Sequence, residues 1–383
     1  VGYNSLANTT NNYNTAVGYA SLVSTVGGGG NTAMGHESLY ANSSASNNTG
    51  IGYQTGFYNS SGANTTYIGH SAGKGADGYS NSNNVGIGAS AMLIIRTGDE
   101  NVAIGVEAMK DAQTAANNVA IGQQALQNMT SGSSNVAIGK VALDAASVNP
   151  SNSVAIGYSA SRYAQGNNNT SLGYGALKGT AGFNGVGNIA IGYEAMDAFE
   201  LGEEYNIAIG AGAMGSMQEG EGGGDIDYNI AIGRNALLGG DFTTNDRQVH
   251  SNIAIGNNAL DATNNAEMIG AVAIGHDSLT ALTSGVRNTA IGYRSGQALA
   301  SSSDCLLVGY EAGRDMDSSG TTPQSCTYIG GYAGRFLDDG TLNTAVGHGA
   351  MEGTTGGSSC SENAAFGHHS LTAITSGDYN TSI

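Results

Sequence analysis

One phrase, ending in glycine, recurs along the whole chain and constrains its fold more than any other feature. Asn14-Thr-Ala-Val-Gly-Tyr19 returns as Asn31-Thr-Ala-Met-Gly-His36, as Asn101-Val-Ala-Ile-Gly105 and as Asn288-Thr-Ala-Ile-Gly-Tyr293. With its glycine as phase zero there are 21 copies, from Gly2 to Gly367, mostly 16 to 19 residues apart. A last copy begins at Asn380, so both ends fall inside a repeat and 1–383 is expected to be one continuous array from a longer fibre. A period of this length cannot hold a helical hairpin, and self-similar units that short must stack to bury a core.

Each phase has its own chemistry. The residue before the glycine is apolar in all 21 copies, as at Ile104, Ile121 and Ile138. Alanine dominates two before it. Asparagine dominates four before it, as at Asn14, Asn31, Asn48, Asn101, Asn118 and Asn135. A small residue stands three after the glycine, and Leu or Met usually four after. β-Branched residues at minus three and minus one on one side, with Asn and Ala on the other, is strand spacing. The segment after the glycine reads as a second short strand or a turn. The expected fold is all-β: a parallel β-solenoid or β-roll of about 21 short rungs, with long loops at 215–228 and 238–251.

Runs of like residues support rung-on-rung contact. Thr15, Thr32, Thr49 and Thr66 hold minus three in consecutive copies, followed by Val85, Val102, Val119, Val136 and Val154. Leu or Met at plus four gives way to glycine at Gly56 and Gly73, then at Gly296, Gly313 and Gly334. In the second block Leu299, Met316 and Leu337 appear three places later. Recent duplication of neighbouring units would leave the same blocks, so they do not prove stacking. The asparagine column is placed to form an amide ladder between rungs. The Ile/Val side would lie exposed on a rod of roughly 100 Å, at ~4.8 Å per rung. A soluble monomer does not tolerate such a stripe, so a cyclic homo-oligomer is expected.

The phrases Asn-Val-Ala-Ile-Gly at 101–105, 118–122 and 135–139, with Ser153-Val-Ala-Ile-Gly157, resemble the head repeat of trimeric autotransporter adhesins. The longer Asn-Thr-Ala-Val-Gly-Tyr-x-Ser-Leu at 14–22 is similar to the variant in bacteriophage tail-fibre proteins. The resemblance covers essentially the whole chain. It implies a homotrimer of left-handed parallel β-rolls, outside the cell, as a virion tail fibre or on a bacterial surface. The rungs are longer than the usual adhesin unit, which favours the tail-fibre comparison. The expected function is a noncatalytic fibre segment in host attachment, contacting a cell-surface receptor or glycan. A bacterial adhesin head is the alternative, and an ice-binding solenoid a third reading, weakened because the threonine column does not persist.

Lys+Arg number 12 against Asp+Glu 30, a net charge of −18. A nucleic-acid partner needs a basic stripe to meet phosphate, so that class is set aside. No apolar run approaches a membrane span. No phosphate loop or Cys-x-x-Cys occurs, and Trp is absent as a sugar platform, so neither an enzyme nor a cofactor is expected. Cys305 and Cys326 both replace the asparagine in adjacent copies, which predicts a stacked disulfide or a pair of buried thiols. Cys360 has no partner at that phase. Five of seven histidines follow the phase-zero glycine, where tyrosine is commoner. That column reads as packing, with His368 and His369 the place to look for a metal. Glu219, Glu221, Asp225 and Asp227 form an acidic loop. Together with Glu200, Glu203 and Glu204 they read as solvated, or as a weakly bound calcium site or receptor contact.

Overall fold

The structure, a computed structural model, describes residues 1–8, 10–144, 149–180, 182–217, 225–240, 248–262, 267–317, 324–355 and 357–383. They form two compact units, Val1–Gly187 and Asn188–Ile383. Both are built from the repeat, and no helix occurs among the described residues.

Each complete copy supplies one three-residue strand in its minus-three to minus-one positions. In the first unit ten of these run from Thr15–Val17 to Thr170–Leu172, every neighbour parallel and in register. Val102 pairs with Val119, Ala103 with Ala120 and Ile104 with Ile121. The second unit carries the same ladder from Ile189–Ile191 to Thr381–Ser382. It adds two small parallel pairs, Val249–His250 with Met268–Ile269, and Leu337–Asp339 with Ser358–Ser359. The fold is therefore the expected parallel β-solenoid. The segment after the glycine is a turn in every rung, so a rung has one recurrent strand rather than two.

The glycine at phase zero is required twice over. Its φ is +139° at Gly105 and +135° at Gly122, a region L-residues rarely enter. A Cβ on Gly105 would also lie 2.4 Å from the carbonyl oxygen of Gly122, and one on Gly122 would lie 2.5 Å from that of Gly139. The glycine column is thus the line along which successive backbones touch.

Two or three ordinary residues per rung are also left-handed. In the central rungs they stand at plus two (Glu107 φ 58°, Gln124 φ 61°), plus four (Met109 φ 49°, Leu126 φ 52°) and minus five (Asn117 φ 60°, Ser134 φ 59°). Each costs on the order of 1 kcal/mol. The conformation turns each N–H along the stacking direction. Gln124 donates to Val106 O at 2.9 Å and Ser134 to Ala116 O at 3.2 Å in the preceding rung. Leu126 donates to Ala142 O at 3.0 Å in the following one. A net gain of about 1 kcal/mol per hydrogen bond offsets the strain, but only when the neighbouring rung is present.

The interior is narrow and filled by the expected columns: Ala103, Ala120 and Ala137 at minus two, Ala108 and Ala125 at plus three, Met109 and Leu126 at plus four, all fully buried. Tyrosine replaces the minus-two alanine at Tyr67 and Tyr328, also fully buried. This explains the missing Leu/Met. A Cβ on Gly73 would sit 2.4 Å from the Tyr67 ring, and one on Gly334 would sit 2.4 Å from that of Tyr328. Leu307, at the same phase, would meet Cβ atoms on Gly296 and Gly313 at 2.7 and 2.9 Å. Leu299, Met316 and Leu337 are buried and restore the volume lost at Gly296, Gly313 and Gly334. Packing complementarity thus accounts for the substitution blocks at this phase.

Gly122→Ala therefore has no relaxed position: the methyl meets backbone on the next rung. The expected loss is at least about 3 kcal/mol of unfolding free energy in a denaturant titration, above the roughly 1 kcal/mol typical of a point change.

Candidate functional site: the outer sheet face

The face opposite the core carries three parallel columns. Minus three is half-buried in most rungs. Minus one is more open, with Ile104 36% exposed, Ile121 37%, Met34 48% and Leu172 46%, while Ile138 is half-buried. The plus-one column, Tyr or His except at stretches such as Ala89, Val106, Gln123 and Lys140, flanks it. Axial repetition places those rings one rung apart, which is stacking distance for aromatic faces. Tyr3, Tyr19, His36, Tyr53 and His70 form a continuous stack in the first unit, with centroids 5.0 to 5.7 Å apart. In the second unit His276, Tyr293 and Tyr310 stack at 5.5 and 5.3 Å. The column is a built aromatic ladder, and its outer surface is open, with Tyr19 and Tyr310 nearly half exposed.

Behind this face the asparagine column forms the ladder expected of it. Asn118 Oδ1 accepts both the N–H and the side-chain amide of Asn135, at 2.9 and 3.0 Å. Asn118 Nδ2 donates to Asn101 Oδ1 at 3.0 Å and to the Gly132 carbonyl at 2.9 Å, tying the strand to the loop of the next rung. Asn31 and Asn48 repeat the pattern, with Asn14 at its head. Apart from the half-buried Asn14, these amides are buried and multiply bonded, so their desolvation is compensated. Where asparagine is replaced, the N–H still donates upward: Thr65 to Asn48, Ala271 to Asn252 and Cys305 to Asn288.

Cys305 and Cys326 lie in adjacent, paired rungs, as their spacing predicts, and both are buried. They stand there as free thiols rather than a disulfide. A hydrogen bond shared with Cys326, and then burial, push the Cys305 thiol above the usual thiol range. Cys360, which has no partner at the asparagine phase, is also buried and free, and burial pushes it up to about 11.

The acidic loops divide. Glu219 and Glu221 lie outside the described residues. Asp225 is exposed, and its backbone carbonyl accepts the Val249 N–H. The Asp227 carboxylate accepts the Glu204 N–H at 2.6 Å, and burial raises its pKa. Glu203 departs from the solvated reading: it is fully buried and accepts the N–H groups of Glu200 and Leu201 at 3.0 and 3.1 Å. Its sequence neighbourhood gives no sign of this, because the loop's own turn does the burying.

His368 and His369 do come together, and His348 of the preceding rung joins them. These three are the one group of three or more His, Cys, Asp or Glu among the described residues whose ligand atoms approach closely enough to hold an ion. The plus-one column places His348 beside His368, a link readable from the repeat once the phases are aligned. An open groove of about 380 Å³ lies in the second unit, bordered by Tyr193, Glu194, Asp197, Arg234, Asn235 and Leu238. No described helix is long and apolar enough to cross a membrane.

Burial raises the native pKa of Glu203, as it does for Asp144, Asp227 and Asp261. Between the unfolded and native pKa values the folded chain binds more protons, so stability falls as pH rises through that window. The melting temperature is expected to climb as pH is lowered from 7.5 towards the ordinary carboxylate range. Glu203→Gln should flatten that slope, and an unchanged slope would remove Glu203 from the account. Comparison of the chain with protein-family models, with curated proteins and with solved structures gives no match.

Proposed function

We propose that this chain is a noncatalytic segment of an extracellular attachment fibre, in which three copies pack through the outer sheet face and the shaft carries or spaces a host-binding surface. The observation that carries this reading is the minus-one column. In the first unit it presents an apolar residue in each of ten stacked rungs, along roughly 40 Å at ~4.8 Å per rung. A strip that long and regular, beside an open aromatic ladder, exceeds the apolar patch a soluble monomer carries and fits a self-complementary interface.

A net charge of −18 and the open groove of the second unit fit a surface-recognition part better than a nucleic-acid binder or a closed catalytic cleft. The repeat phrases favour the tail-fibre form of this reading, with host attachment through a receptor or glycan. A bacterial surface adhesin head uses the same rod and the same face.

Light scattering at neutral pH tests the association. The expected particle is about 115 kDa, three times the chain's 38.3 kDa. The triple variant Ile104→Glu, Ile121→Glu and Ile138→Glu places three carboxylates on the face and should return the mass to that of one chain. A wild-type chain that stays monomeric at high concentration would contradict the reading.

A further inference from the structure

His348 and His368 occupy the same phase in adjacent rungs, directly after Gly347 and Gly367. Axial spacing therefore stacks their rings, with centroids 5.4 Å apart and planes at 20°. His369 follows in the left-handed conformation, φ 55°, and its N–H donates to the His348 carbonyl at 2.9 Å. That turn lays its ring across the other two, edge-on at 5.6 Å from His348 and 4.0 Å from His368. One ligand nitrogen from each imidazole then lies within 4.8 Å of the other two, and all three residues are exposed.

A glycine makes the room. Plus two, where Gly349 stands, carries a side chain in most rungs, such as Glu107, Gln124 or Asn235. At Gly349 a Cβ would sit 2.4 Å from His369 Nδ1, so His369 reaches its neighbours only because that position is bare. The Glu352 carboxylate borders the same point, with Oε2 at 3.5 Å, and is itself 3.9 Å from Arg335. Elsewhere on the column a histidine stacks on tyrosine, as His36 does between Tyr19 and Tyr53, His70 on Tyr53 and His276 on Tyr293, with no second imidazole at the same phase of an adjacent rung.

We propose that His348, His368 and His369 form a binding site for a divalent first-row transition ion of the zinc class, one per chain, with Glu352 at its edge. Three neutral imidazoles suit Zn2+, Ni2+ or Cu2+ and not the oxygen-seeking Ca2+ or Mg2+. At a Zn–N distance of 2.0–2.1 Å, three nitrogens on a tetrahedral face lie roughly 3.3 Å apart, a closure that exposed rings reach by side-chain rotation. The fourth position faces solvent and stays open to a water, Glu352 or an external ligand. The site lies within one chain, so it stands whether or not chains associate.

Calorimetric titration of the full chain with ZnCl2, and with CoCl2 read by its visible d–d bands, tests this. One ion per chain is expected. His369→Ala should weaken binding at least about tenfold, since losing a ligand costs no less than losing an outer-shell partner. Gly349→Asn leaves every ligand in place and installs a residue the fold accepts at this phase at Asn235 and Asn258. It should also weaken binding, with the β-sheet circular dichroism unchanged. Absence of saturable binding, affinity untouched by His369→Ala, or one ion per three chains would each overturn the proposal.

Discussion

The structure depends on the contact between the glycine of one rung and the glycine carbonyl of the next. With a Cβ-to-oxygen distance of 2.2 to 2.6 Å along nearly the whole column, no other residue fits without moving the adjacent backbone. This close approach fixes axial register. Once glycines align, the strands pair in register, the asparagine amides meet, and rings at plus one stack. A parallel sheet of three-residue strands has few hydrogen bonds per strand, so register must be set by something stiffer than pairing alone.

The second constraint is collective. Left-handed residues such as Glu107, Met109 and Asn117 are strained in isolation, and the N–H groups they aim along the axis are satisfied only by neighbouring rungs. Local conformation and stacking are therefore one event, the behaviour of a one-dimensional repeat array in which a lone unit has no stable fold. The buried asparagines of the ladder act likewise, with amides such as Asn101 and Asn118 bonding to the rungs on either side.

Much of this was legible in the residues. Strand positions, the inward alanine and Leu/Met columns, the outward Ile/Val column and the asparagine ladder all follow from phase and alternation. The glycines at 56, 73, 296, 313 and 334 were visible as a pattern, but their cause, the bulk of Tyr67, Leu307 and Tyr328, needed the packing. The left-handed positions were hidden because Gln124, Val141 and Tyr332 carry no glycine or asparagine signature; their conformation is imposed by the rungs beside them. Glu203 was misread as solvated because a loop's burial is not periodic. His348 was missed as a partner of His369 because two phases, not one, build that cluster.

The axial repeat is the claim on which the fold, the outer face and the histidine cluster all rest. X-ray diffraction from an oriented sample of the chain measures it directly. A sharp reflection near 4.8 Å along the stacking direction is predicted, the spacing of parallel strands one rung apart. A 4.8 Å reflection perpendicular to that direction, or none, would mean that the rungs do not stack through their glycines.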